Sequence, residues 1–260
     1  MSKKSRSRTA EKRDPKTVAF WSFMAVALVV IVAGYFIASN RDTDSDYVST
    51  YVPVTAGAPP AARQFPPVEA SNGRPKPVVA LFGDSYSEGA GAADPESEGY
   101  AALLANGTGW DLRVTSLSGG GYRNPGVDGS GPFTRKIDAA DLPGIKPDLI
   151  IIQGGLNDAG FGEETLAGSK AAIAAARAAA PGTPIAVVGL LWGQGAMSDV
   201  AQRPYDAIKA SAEAAPNVLF IPTKDLRFPL GQDGVHPTSQ GHAEIYNAIR
   251  GALRQAHLEG

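Results

Sequence analysis

Five short, predominantly apolar runs constrain this chain more than any other feature: Val78–Phe82, Leu112–Leu117, Leu149–Ile152, Ile185–Leu191 and Asn217–Ile221. A strand with one wet face alternates apolar and polar residues, whereas near-continuous hydrophobicity fits strands covered on both faces. Stretches with helical patterning separate the runs: Glu98–Ala105, a short piece near Phe133–Ala139, the Ala-rich Glu163–Ala180 and Asp199–Ala214. A last one, Thr238–Gln255, closes the chain. This alternation predicts the α/β class, with a five-stranded parallel sheet inside a flavodoxin-like three-layer α/β/α sandwich. Right-handed crossovers restrict the topology, and the expected strand order is 2-1-3-4-5. Ligands of such sheets bind beyond the carboxyl ends of the strands. Functional residues are therefore expected in the loops that follow the runs.

The region before the first run has a different character. Residues 1–17 carry seven basic residues against two acids, a tail of +5; the chain's net charge of -2 leaves -7 for the rest. Next come 21 uncharged residues, Val18–Ala38, with Trp21 and Tyr35 near the two ends. As a helix this run is about 30 Å long, enough to cross the hydrocarbon core of a bilayer. Its length, and the lack of a clear A-x-A cleavage site, favour an uncleaved anchor over a signal peptide. The basic flank predicts a cytoplasmic N-terminus, a single pass, and an extracytoplasmic remainder. Residues 39–76 hold Pro53, Pro59, Pro60, Pro66, Pro67 and Pro75 among small residues, which predicts an extended linker. The expected organisation is thus a tail (1–17), a transmembrane helix (18–38), a linker (39–76) and one catalytic domain (77–257).

The chain has no cysteine and three histidines. Thiolate chemistry and cysteine metal sites are excluded, and three scattered histidines do not form a zinc cage. Neither metal nor cofactor is expected. With the basic residues gathered beside the apolar run and an acidic body behind it, nucleic acid is not an expected partner. The first run is followed by neither G-x-G-x-x-G nor a P-loop, which disfavours nucleotide binding.

Four loops carry candidate chemistry. The first run ends in Gly83-Asp84-Ser85, where a serine stands at a turn that would open a helix, with backbone N–H groups nearby to face an anion. Alone, this also fits an ordinary helix start, and Asp84 fits a turn-stabilising hydrogen bond. The second run is followed by Ser118-Gly119-Gly120-Gly121, where a backbone N–H can approach a ligand unobstructed, or where the loop is simply flexible. The third is followed by Gln153-Gly154-Gly155-Leu156-Asn157-Asp158, which offers the Asn157 amide or a turn cap. Near the end lies Asp233-Gly234-Val235-His236-Pro237, in which a carboxylate three residues from an imidazole can orient it as a base. Pro237 holds His236 extended and favours a helix start just beyond.

Taken together, these blocks at these spacings resemble the SGNH hydrolases of the wider GDSL group, over residues 77–257. The resemblance implies that Ser85 is the nucleophile, His236 the general base and Asp233 the residue that orients it. It implies an oxyanion hole built from the Ser85 N–H, the Asn157 side chain and the N–H of Gly119 or its neighbour Gly120. The residue after the nucleophile departs from the family pattern: Tyr86 stands where many relatives have leucine. Tyr122, Arg123 and Trp192 are candidate substrate contacts, Trp192 equally a packing residue. His242 shares a helical face with Ile245 and Ile249 and is expected to be structural. His257 is expected in solvent, and Glu163 and Glu164 at a helix start.

The expected function is hydrolysis of carboxylic esters, acyl or acetyl, through an acyl-enzyme outside the membrane, with envelope glycan or lipid as the partner. An acyltransferase using the same triad with a sugar hydroxyl as acceptor is the first alternative. A non-catalytic glycan-binding module is the second, because fold alone does not imply function.

Overall fold

The computed structural model describes residues 65–259; the basic tail, the apolar run 18–38 and most of the expected linker lie outside the described residues. Among the described residues, 65–231 and 235–259 fall in one compact unit, with the turn Gln232–Gly234 grouped apart from it. Its sheet has five parallel strands: β1 (Val78–Gly83), β2 (Asp111–Ser116), β3 (Leu149–Gln153), β4 (Ile185–Val188) and β5 (Val218–Ile221). The strand order is β2-β1-β3-β4-β5, as expected from the crossover rules.

Among the described residues, seven helices alternate with the strands: α1 (Pro95–Glu98), α2 (Tyr100–Thr108), α3 (Phe133–Ala139), α4 (Leu142–Ile145), α5 (Glu163–Ala179), α6 (Asp199–Ala214) and α7 (Ser239–Gln255). The strand period of two sorts the apolar runs between two cores. Val79, Leu81, Leu149 and Ile151 pack on one side with Leu104, Ile245, Ile249 and Leu253 from α2 and α7. Ala80, Phe82, Ile150 and Ile152 pack on the other with Phe133, Ile137, Ile173, Ala176 and Ile208 from α3, α5 and α6. The three layers follow from that division.

β2 differs from its expectation. It is an edge strand with no residue fully buried, and Val114 is 42% exposed. Arg113 and Thr115 interrupt its apolar run for that reason. The fourth run extends to Leu191, yet β4 ends at Val188; Leu190 and Leu191 are buried in the loop beyond it.

Residues 65–76, expected as the end of a linker, are packed on the domain. Phe65 is 5% exposed within the core on the α7 side. Its N–H donates to the Ala256 carbonyl at 3.4 Å, and that of Val68 donates to Leu258 at 3.1 Å. Arg74 pairs with Asp148 at 2.6 Å and donates to the Ile145 carbonyl at 3.0 Å. Asp148 also accepts the N–H groups of Ser71 (3.2 Å) and Val78 (2.8 Å), closing the segment over the amino end of β3. Among the described residues, no helix is long and apolar enough to cross a membrane.

Truncating a buried phenylalanine removes its transfer energy and leaves a cavity. Phe65→Ala is therefore expected to lower the unfolding free energy by about 3 kcal/mol, read from the urea midpoint at unchanged m-value. A substitution within a true linker would leave the midpoint where it was.

Candidate active site

β1 hands the chain to Asp84, whose Oδ1 accepts the Tyr86 N–H at 3.0 Å while its carbonyl accepts that of Ser87 at 3.0 Å. This is the turn-stabilising part expected of Asp84. No helix starts at Ser85. The Ser85 carbonyl instead accepts from Glu88 (3.2 Å) and Ala90 (3.1 Å) in successive turns, and Gly89 and Gly91 take φ of 82° and 93°. That region is open chiefly to glycine, and the first helix waits until Pro95. Ser85 is 9% exposed at this turn, and its Oγ lies 3.0 Å from His236 Nε2.

His236 is delivered by the loop between β5 and α7. Leu230 and Pro237 form an antiparallel bridge, and the Gly231 N–H donates to the His236 carbonyl at 2.8 Å. Beyond Pro237, the Thr238 side chain caps α7 by accepting the Gly241 N–H at 3.2 Å. Asp233 stands three residues before His236, exposed, in the turn Gln232–Gly234.

The loops after β2 and β3 are joined to each other. Asn157 and Asp158 lie in a single 3₁₀ turn, Leu156–Asp158. Asn157 Nδ2 donates to the Gly120 carbonyl at 2.9 Å, which leaves its second N–H for another acceptor. Asp158 is fully buried and accepts three backbone N–H groups: Tyr122 at 2.8 Å, Arg123 at 2.8 Å and Asn124 at 3.0 Å. Burial pushes its pKa up, and these three amides oppose the rise. Gly121 has to be glycine here, because a Cβ would stand 2.4 Å from Asp158 Oδ2. Of the three consecutive glycines, Gly120 donates its N–H to Leu117 (2.8 Å) and Gly121 to Asn124 (3.1 Å). Among the described residues, the amides of Ser85 and Gly119 have no acceptor.

A polar cluster that no single motif announced lies beneath Ser85. Gln153, at the end of β3, donates to Asp84 Oδ2 at 3.3 Å. Its carbonyl accepts from Ser87 Oγ at 2.8 Å and Tyr100 OH at 3.2 Å. The only hint in the sequence is a glutamine closing a run of four apolar residues. His242 is fully buried, with Nε2 3.0 Å from the Ala90 carbonyl and Nδ1 accepting the Tyr100 N–H at 3.3 Å. Those partners require the neutral Nε2–H tautomer, and burial depresses the pKa accordingly. Its place is structural.

Tyr122, a candidate substrate contact, reads differently, and Trp192 shows the packing left open beside its other reading. Tyr122 is 1% exposed and meets Phe133 edge-on at 5.2 Å, so its ring belongs to the core. Its backbone is bound to Asp158, and that turns the side chain inward. Trp192 is partly buried and packs against the cluster of Leu190, Ala201 and Tyr205. Arg123 pairs with Glu164 at 2.5 Å and covers the Phe161 ring at 5.6 Å. Among the described residues, no group of three or more His, Cys, Asp or Glu side chains could hold a metal ion.

Burial pushes the Asp84 carboxyl up to about 7; the Tyr86 amide and Gln153 oppose this, Asp158 adds to it and His236 subtracts. Between the ordinary value of 3.8 and about 7 the folded protein holds a proton that the unfolded chain releases. Stability from this group therefore falls as pH rises through that window. His242 runs the other way: its depressed pKa gives stability that is present above 6.5 and lost as pH falls below it. Comparing wild type with Asp84→Asn cancels the His242 contribution. The Tm difference, wild type minus variant, is expected to shrink steadily between about pH 4 and 7.

The GDSL-like lipase/acylhydrolase family model matches residues 81–244. No curated protein matches the sequence. Similar solved structures include a family two carbohydrate esterase from Cellvibrio japonicus, at 18% identity and a TM-score of 0.58, covering 70% of this chain and 62% of that one. Another, from Clostridium thermocellum and in complex with cellohexaose, has 18% identity and a TM-score of 0.55, with 70% and 65% covered. A salicylyl-acyltransferase from a tetracycline biosynthetic pathway has 22% identity and a TM-score of 0.54, with 71% and 56% covered. The chain thus spans between half and two thirds of the length of these proteins, and at such identities the likeness is one of fold. The family model covers the β1 turn, the glycine loop, the Asn157 turn and the His236 loop, and the chain belongs to the GDSL-like lipase/acylhydrolase family.

Proposed function

We propose that this protein is a serine ester hydrolase in which Ser85 is the nucleophile, His236 the general base and Asp233 the residue that orients His236. The observation that carries this is the 3.0 Å approach of His236 Nε2 to Ser85 Oγ at the carboxyl edge of the sheet. Ser85 Oγ attacks the ester carbonyl carbon as its proton passes to His236 Nε2. The negative charge then gathers on the former carbonyl oxygen, where the amides of Ser85 and Gly119 and the second Asn157 N–H receive it. The commitment of the Gly120 and Gly121 amides elsewhere favours Gly119 as the glycine donor. Collapse of the intermediate breaks the bond to the alcohol, which leaves with the proton from His236. Water, deprotonated by His236, then releases the acid from Ser85.

The substrate we assign is an acyl or acetyl ester on an envelope glycan. Support comes from the two carbohydrate esterases of similar fold, one of them holding cellohexaose. The apolar run 18–38 and its basic flank support a single-pass anchor with the domain outside the membrane. We read the proline-rich stretch before Phe65 as the spacer, since contacts of Phe65, Val68 and Arg74 support counting residues 65–76 with the domain. Transfer to a sugar hydroxyl is the second reading, favoured by the acyltransferase of similar fold. A purely binding module has no use for an imidazole placed against a serine hydroxyl.

The full-length protein is to be assayed on p-nitrophenyl esters of increasing chain length and on an acetylated oligosaccharide. Ser85→Ala and His236→Ala are each expected to cut kcat by at least about 10³. Asn157→Ala is expected to cost roughly 10²–10³ in kcat. Equal turnover by wild type and Ser85→Ala would overturn the assignment. Acyl product on an added glycan, in excess of free acid, would select transfer over hydrolysis.

A further inference from the structure

We propose that Tyr86, the residue after the nucleophile, positions His236 for proton transfer; this rests on the assignment of Ser85 and His236 as nucleophile and base. Tyr86 is 2% exposed and bound at both ends. Its N–H donates to Asp84 Oδ1 at 3.0 Å, within the turn that presents Ser85. Its phenol donates to the carbonyl of Val235, the residue before His236. One side chain therefore spans the two loops whose relative placement sets the distance between Ser85 Oγ and His236 Nε2.

The ring adds contact on the same side. It lies 5.9 Å from the imidazole at an interplanar angle of 57°, and it meets Phe228 edge-on at 6.3 Å and 82°. From the nucleophile's own loop, Gly91 closes on the base: a Cβ there would lie 2.8 Å from His236 Cβ and 2.3 Å from the Pro237 carbonyl oxygen. The His236 carbonyl is held by Gly231. Residues on both sides of the imidazole are thus fixed through the backbone. Tyr86 supplies the bond on the Val235 side that ties this loop to the serine turn.

Leucine at this position fills space but neither donates a hydrogen bond nor presents a ring. Phenylalanine keeps the ring and loses only the bond. Misplacing a reacting group by about 1 Å can cost roughly 10² in rate. Tyr86→Phe is expected to lower kcat on a p-nitrophenyl ester by roughly 10–100-fold with KM changed less than about twofold.

The deciding measurement is a double-mutant cycle in the full-length protein. With His236 replaced by alanine there is no imidazole left to position. Tyr86→Phe is then expected to change the residual rate by less than about twofold. A tyrosine that merely supports the fold would depress both backgrounds alike. Tyr86→Leu, which also gives up the ring, is expected to lose at least as much kcat as Tyr86→Phe and to show the same absence of effect without His236. Wild-type kcat in Tyr86→Phe, or equal losses with and without His236, would overturn the inference while Ser85→Ala and His236→Ala keep only their residual rates. Full activity of Ser85→Ala or His236→Ala would instead overturn the underlying assignment.

Discussion

The carboxylate of Asp158 is the contact on which the architecture of the site depends. Parallel strands bring their carboxyl ends to one edge but say nothing about the loops beyond. Asp158 settles that for two of them by drawing the amides of Tyr122, Arg123 and Asn124 onto one buried carboxyl group. Burying a charge is costly unless it is hydrogen-bonded, and three N–H donors are a strong compensation. Once Asp158 is satisfied in this way, the rest of the loop has little freedom. Gly121 must pass close over the carboxylate, Gly120 turns its carbonyl to Asn157 Nδ2, and the Gly119 amide is left without an acceptor.

Asp84 does the corresponding work on the other side. Both aspartates are next to a residue assigned to the reaction, Ser85 in one case and Asn157 in the other. In a tight turn neighbouring side chains diverge, so the acid faces inward while its neighbour faces the edge. Asp158 fastens its turn by taking three backbone N–H groups and Asp84 by taking one, and each has its pKa raised by burial. Gln153 then ties the Asp84 turn to the end of β3, so the Ser85 loop and the Asn157 loop share a buried polar floor.

Much of the fold was legible in the sequence because burial on both faces leaves a mark that nothing else does. Leu149–Ile152 cannot be placed at a surface, and crossover handedness together with five alternating strands pointed to the flavodoxin-like order. The edge strand was harder: Arg113 and Thr115 report that one side of β2 is uncovered, a weaker signal than an apolar run. Phe65 was invisible because a single aromatic in a proline-rich segment has no periodicity, and its burial is decided by Ala256 and Leu258 far along the chain. Within the site, the residue types and their loops could be read from the four blocks. The partners could not. That Tyr122 turns into the core, that Gly119 and not Gly120 keeps its amide uncommitted, and that the phenol of Tyr86 reaches Val235 all depend on contacts between distant parts of the chain.

These partners also explain why Asp84 and His236 have to be considered together. Asp84 is repelled by Asp158 and stabilised in its charged form by His236. Burial already holds the Asp84 carboxyl above its ordinary range, and a change of charge nearby acts directly on it. In the proposed cycle His236 becomes a cation whenever it takes the proton of Ser85, and that cation favours ionised Asp84. Ionised Asp84 in turn favours the cation, by the reciprocity that governs any two coupled charges. In that cycle the buried carboxyl beside Ser85 supplies a field of the right sign when His236 carries the proton. A neutral residue at position 84 could hold the Tyr86 amide, but it would not supply that field.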